Sequence, residues 1–272
     1  MKPLALVIEN DSGTRKLLDV LLTRFGFEVD LVATGSDALT LLENVHYSVL
    51  ILDLLIPGRS GTEILQWLGR EQPEMLPRIV VLSSLPPVRL DAVRQEWPGV
   101  CTIRKPFELS AVVEAAAEAS ANGVRREPTP AENFCRFSVR AGAKAGVIVT
   151  AVDGDVAPVL TFGYEPEVVQ SFFPMSLDSA YPLCSSIRTA KPVWLASLTS
   201  AGPDYPVLQP VWSKHASRAL AVVPLLHAGR AIGAAGWTFR EPRLFNEREQ
   251  QLLTAIADTV VEWLPDVAQT RA

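Results

Sequence analysis

Residues 47–61 read Y-S-V-L-I-L-D-L-L-I-P-G-R-S-G. Val49 to Leu52 is an unbroken aliphatic run, too short for a helix and bounded by turn residues. Such a run reads as a strand buried on both faces, the habit of strands in parallel sheets. One carboxylate, Asp53, closes it, and the Pro57-Gly58 turn follows four residues later. An acid at the carboxyl end of a buried parallel strand stands where open α/β sheets keep their ligand sites.

Outward from that strand, residues 4–8 form a second aliphatic run ending in Glu9-Asn10-Asp11. Ser12 is the expected cap of a helix carrying Leu17, Leu18, Leu21, Leu22 and Phe25 at helical spacing, and Gly26 stops it. Residues 29–33 return as a strand, and Ser36 is expected to open a helix through Leu39, Leu41 and Leu42. Residues 61–68 are helical again, with Ile64, Leu65 and Leu68 on one face. Residues 79–82 make a fourth strand ending in Ser83-Ser84, with a helix over 88–96. A short fifth strand spans 100–103, and Lys105-Pro106-Phe107 leads into a helix over 108–119. Five strands alternating with five helices imply parallel βαβ units and one doubly wound sheet. Its carboxyl edge would gather Glu9, Asn10, Asp11, Asp53, Ser83 and Lys105. Carboxylates beside a lysine and a hydroxyl suit a phosphoryl group and a hard cation such as Mg²⁺, which takes oxygen ligands. Asp53 is therefore the expected phospho-acceptor.

Residues 1–121 resemble the receiver domain of two-component response regulators. The resemblance rests on V-I-E-N-D-S-G-T-R at the first strand end, L-D-L-L-I-P-G-R-S-G-T-E-I-L at the third, V-V-L-S-S at the fourth and R-K-P-F at the fifth. It implies a five-stranded, flavodoxin-like sheet and a phosphorelay in which Asp53 takes a phosphoryl group from a sensor histidine kinase or phosphotransfer protein. Glu9 and Asn10 would fall at the metal-holding acid pair, with Asp53 and the backbone carbonyl of Leu55 as further ligands. Ser83 would be the switch hydroxyl and Lys105 the phosphate-contacting lysine. Two positions depart from the family's pattern. Asn10 replaces a second acid and brings no charge, so metal affinity is expected to fall. Thr102 stands where the family usually carries Tyr or Phe, and a threonine cannot make the same large packing change.

Residues 122–130 read as a linker in which Pro128 and Pro130 forbid one continuous helix. Beyond it, residues 131–141 are expected as a helix with Phe134, Phe137 and Val139 inward. Hairpins are expected over 145–162, turning at Asp153-Gly154, and over 219–239, turning at 227–230. Helices at 166–173 and 182–189 and a short run at 193–195 lie between them, then a loop rich in Pro, Ser and Gly over 197–214. Asn246 caps a last helix with Leu252, Leu253, Ile256, Val260 and Leu264 in one stripe. This α+β arrangement with an antiparallel sheet, residues 131–268, resembles a GAF domain, a small sensory or dimerisation module. The carrying segments are T-F-G-Y, I-R-T-A-K-P-V-W-L, A-L-A-V-V-P-L-L-H-A-G-R-A-I-G-A-A-G-W-T-F and F-N-E-R-E-Q-Q-L-L-T-A-I-A-D. The resemblance implies a pocket between sheet and central helices for a ligand it does not name. Tyr164, Tyr181, Trp194 and Trp212 are the candidate lining residues. Cys184 reads as a small core residue.

The chain has 272 residues, a net charge of −5 and three well-separated cysteines, which argues against a disulfide framework or a zinc site. Residues 1–122 carry 11 basic and 16 acidic side chains, and residues 123–272 carry 14 of each. With no basic stripe, a nucleic-acid partner is not expected. No run approaches a membrane span and no signal peptide is visible, so a cytoplasmic location is expected. No nucleotide-binding loop, cyclase signature or nucleophile–base pair appears, so the expectation is a non-enzyme signalling through a downstream protein or a homodimer. The alternative is a small-molecule sensor whose first half is a docking scaffold that works without phosphorylation.

Overall fold

The computed structural model describes residues 2–121, 123, 126–197, 205, 208 and 217–264. It divides into two compact units, Met1–Pro128 and Thr129–Ala272.

The first unit runs β1 (Leu4–Ile8), α1 (Ser12–Arg24), β2 (Glu28–Val32), α2 (Gly35–Asn44), β3 (Val49–Asp53), α3 (Gly61–Glu71), a 3₁₀ turn (Pro73–Arg78), β4 (Ile79–Ser83), α4 (Pro87–Glu96), β5 (Cys101–Arg104) and α5 (Leu109–Ala121). All five strands are parallel in the order β2-β1-β3-β4-β5. This is the doubly wound, flavodoxin-like sheet expected from the sequence. Every residue of β1, β3 and β4 is buried, because helices cover both faces. One face of the sheet offers Ala5, Val7, Val49, Ile51, Val80 and Leu82 to α1 and α5, which answer with Leu18, Leu22, Val112 and Ala116.

Helix starts differ from expectation in two places. Asp11, not Ser12, caps α1, because its carboxylate accepts from the Thr14 N–H at 2.7 Å. Thr34, not Ser36, caps α2 through the Asp37 N–H. Each true cap lies before the first helical residue, where its extended backbone leaves the side chain free to reach forward. Leu17 and Phe25 share the helical spacing of Leu18 and Leu22 but stay exposed.

The second unit runs α6 (Pro130–Arg140), β6 (Ala145–Val152), β7 (Asp155–Phe162), α7 (Pro166–Phe172), β8 (Met175–Ser176), α8 (Pro182–Thr189), β9 (Val193–Leu195), β10 (Ala219–His227), β11 (Arg230–Phe239) and α9 (Glu247–Val261). Its six strands are antiparallel in the order β8-β7-β6-β11-β10-β9. Asp153 (φ 52°) and Gly154 (φ 88°) make the left-handed two-residue turn that matches hairpin twist.

The inward face of α6 also departs from expectation. Phe137 and Val139 are only half-buried, whereas Arg136 and Ser138 are buried. Ser138 lies inside because its Oγ accepts from the Trp237 indole N–H at 2.8 Å. Arg136 lies inside with its guanidinium on the Asn133 side-chain oxygen. Phe134 behaves as expected, packing against Phe162 and Trp237. On α9, Leu252 stays exposed while Leu253, Ile256 and Val260 are buried, as is Leu264 beyond the helix end.

Candidate functional site

The parallel sheet brings Glu9, Asp53, Ser83 and Lys105 to the carboxyl ends of β1, β3, β4 and β5. The Lys105 Nζ donates to Glu9 Oε2 and to Asp53 Oδ2, each at 2.6 Å. The second oxygen of each acid is held by backbone. The Leu55 N–H donates to Asp53 Oδ1 at 2.9 Å, and the Asp11 N–H donates to Glu9 Oε1 at 3.0 Å. Both acids are buried, at 6% exposure for Asp53 and 1% for Glu9. Lys105 thus stands as a partly shielded cation between two carboxylates. Burial pulls its pKa down, but the hydrogen bonds to Asp53 and Glu9 outweigh that effect and hold it above the ordinary lysine value.

Backbone geometry fixes the cluster. The Lys105 N–H donates to the Ser83 carbonyl at 2.9 Å, tying the two strand ends together. Gly61 opens α3 so close to β3 that a Cβ there would lie 2.5 Å from the Asp53 carbonyl oxygen. Only glycine lets the α3 N-terminus approach the Asp53 strand end this closely. Ser83 is fully buried, and its Oγ accepts from the Leu85 N–H at 3.4 Å.

Asn10 is exposed, and its side-chain amide makes no hydrogen bond among the described residues. Asp11, although adjacent, is committed to capping. The Thr14 N–H it accepts from is the main reason its carboxyl lies below the ordinary range. The donor set suits Mg²⁺, which takes one or two carboxylates and completes its shell with water and phosphate oxygens. Glu9 and Asp53 would supply the carboxylates to such an ion, and the Leu55 carbonyl and the Asn10 amide would supply neutral oxygens, Asn10 adding no charge.

Thr102 lies on β5 beside Val81, so it shares the α4 side of the sheet with Ser83. Its Oγ1 is buried with no hydrogen-bond partner among the described residues, and its carbonyl accepts from the Arg94 guanidinium at 3.3 Å.

The second unit holds a cavity of about 110 Å³ between the sheet and α7–α8. Tyr164 and Tyr181 line it as expected. Trp194 does not. Strand alternation turns Val193 and Leu195 toward the core, and sends Trp194 to the other face, where its ring lies 5.4 Å from Phe245. Trp212 lies outside the described residues. Sequence reasoning missed Thr161, Thr238 and Met175 on the cavity wall. The threonines had a signal in their placement within hairpin strands, but β8, which carries Met175, is only two residues long. Cys184 is fully buried, its thiol donates to the Ser176 carbonyl, and burial pushes its pKa up, as befits a core residue.

A buried carboxylate pair bridged by lysine at the carboxyl edge of a 2-1-3-4-5 sheet defines a doubly wound α/β domain with a charged rim, here followed by an antiparallel α+β module. Family models name both parts: residues 5–117 match the response regulator receiver domain and residues 131–262 match the GAF domain. The chain is a receiver domain followed by a GAF domain. The transcriptional regulatory protein FixJ of Rhizobium meliloti (strain 1021) is 31% identical over 122 residues, 44% of this chain and 58% of that protein. A receiver domain protein (CheY-like) from Methanospirillum hungatei JF-1 is 20% identical with a TM-score of 0.41, covering 44% of this chain and 95% of that one. The GAF domain of an Acinetobacter phosphoenolpyruvate-protein phosphotransferase is 12% identical with a TM-score of 0.41, covering 51% and 81%. The chain thus spans little more than half of its curated relative FixJ. Among the described residues, no helix is long and apolar enough to cross a membrane.

Proposed function

We propose that the protein is a phosphorelay response regulator in which Asp53 accepts a phosphoryl group from a partner histidine kinase or phosphotransfer protein. The observation that carries this reading is the Lys105 bridge to Asp53 and Glu9. An Asp53 oxygen attacks phosphorus in line as the donor's bond to phosphorus breaks, leaving an acyl phosphate. The Lys105 ammonium is already within reach of the charge that develops, so it can follow from the carboxylate to a phosphoryl oxygen. The Ser83 hydroxyl, held only by a long 3.4 Å hydrogen bond, is free to turn and donate to the same group. Mg²⁺, held by Glu9, Asn10, Asp53 and the Leu55 carbonyl, would supply neutralising charge for the transferring group.

The phosphorylated receiver then signals through the GAF half to a downstream protein or a second copy of the chain, not through catalysis, nucleic acid or membrane insertion. The even charge of residues 123–272 supports a protein partner over nucleic acid. Incubating the purified protein with acetyl phosphate and Mg²⁺ tests the reading by intact mass. The expected result is one added phosphoryl group on wild type and none on Asp53→Ala. An unlabelled wild type, or equal labelling of both, overturns it. A second reading makes the receiver a docking scaffold beside a ligand-sensing GAF domain, and the uncharged, exposed Asn10 favours it. Under that reading Asn10→Asp would restore uptake to an inert wild type.

A further inference from the structure

We propose that the GAF-half cavity is a binding site for an uncharged aromatic molecule of roughly benzene's size, best fitted by a simple phenol. Protein interiors are close-packed, and apolar voids beyond a water's size are few. At about 110 Å³ this one is partly open to solvent, and its size approaches that of an enclosed apolar cavity of roughly 150 Å³ that takes up benzene. Val147 of β6, Thr161 of β7 and Leu220 of β10 contribute from the sheet, and Val168, Phe172 and Tyr181 from the helical side. Phe172 and Tyr181 meet edge to face at 5.8 Å, leaving ring surface for a third aromatic group.

The chemistry of the lining narrows the ligand further. No charged side chain lines the cavity among the described residues, so a carboxylate or phosphate would be buried without a partner. The polar groups are hydroxyls: Thr161, Tyr164, Tyr181, Ser217 and Thr238. Tyr164 donates to the Thr238 Oγ1 at 3.4 Å, a contact long enough for a ligand hydroxyl to share. Its phenol is held neutral, with burial pushing its pKa up to about 12 against the opposing pull of that hydrogen bond. The charges of a cyclic nucleotide or a tetrapyrrole would find no counter-ion in the described lining. The proposal stands on the cavity and not on chemistry at Asp53, so either can fail without the other.

Met175 lines the cavity, and the other methionines are Met1 and Met75, so methyl-¹³C labelling of methionine in the full chain gives a mutation-free reporter. Phenol and toluene should shift the Met175 methyl resonance saturably and leave Met75 in place. Benzoate, of similar shape but charged, should bind at least about 100-fold more weakly. Val168→Trp should fill the space and abolish the phenol shift, whereas Tyr164→Phe should weaken phenol about fivefold and spare toluene. A Met175 resonance that neither phenol nor toluene moves, or that benzoate moves equally, overturns the proposal. So does an undiminished shift in a folded Val168→Trp. If that variant does not fold, the wild-type titrations decide alone.

Discussion

Asp53 and Tyr164 stand in two settings built on opposite principles. Asp53 sits at a sheet edge among charges, with an ammonium on one oxygen and a backbone N–H on the other. Tyr164 sits under a sheet, in a cavity whose described lining carries no charge, with a threonine hydroxyl as its polar neighbour. A parallel sheet aligns its strand ends and so collects chemistry from distant parts of the chain at one rim. The antiparallel GAF sheet makes its site from side chains that leave space unfilled. The first kind of site is defined by what is present, the second by what is missing.

The difference predicts how each half responds to substitution, and the largest effect should come from the charged rim. Lys105→Met leaves two buried carboxylates facing each other and should cost the receiver about 3 kcal/mol at neutral pH. That is the low end for a buried pair, because the ammonium side chain keeps 20% of its surface exposed. Because Lys105 has a raised folded pKa, its stabilisation is full below the ordinary value of 10.5 and is lost as pH rises through the folded value. A wild-type advantage over Lys105→Met that does not shrink in alkali, read by urea unfolding, would break the contrast between the halves.

Ser138→Ala should come next, at about 2 kcal/mol, since it strands the buried Trp237 N–H. Chemical denaturation of the GAF transition reads it, and here no pH dependence is expected. Thr102→Val has the opposite sign. It replaces a buried hydroxyl that has no partner with a methyl group and should stabilise the receiver by about 1 kcal/mol. Tyr164→Phe should be smallest, about 0.5 kcal/mol, because the bond it removes is long. Its signature lies in alkali. A tyrosine raised from 10 to about 12 on folding loses stability as pH climbs between those values, and the phenylalanine variant should lack that decline.

The rim was legible in the sequence because strand ends are punctuated. An aliphatic run stops at Glu9, at Asp53 and at Ser83, and β-α alternation obliges those stops to share an edge. The cavity was not legible, because spacing says which side chains point inward and not whether they fill the interior. Trp194 shows the limit. It is aromatic and flanked by core residues, but a strand's period of two sends it to Phe245. The caps failed for a related reason. Ser12 and Ser36 are good capping residues, yet Asp11 and Thr34 hold the extended backbone that capping requires. Ser138 was unreadable because its partner, Trp237, lies 99 positions away.

The seam between β6 and β11 has a consequence for the order in which the chain can assemble. Each belongs to a local hairpin, and they pair from Gly233 with Thr150 to Thr238 with Ala145, far apart in sequence. The hairpins can each form as soon as their own residues exist, but the six-stranded sheet cannot close until the last strand has been synthesised. During synthesis the receiver, whose sheet ends with β5, can complete its fold while the β6–β7 hairpin still exposes an unpaired edge. During that interval the GAF half carries an open sheet edge at β6, the kind of surface that invites pairing with another chain.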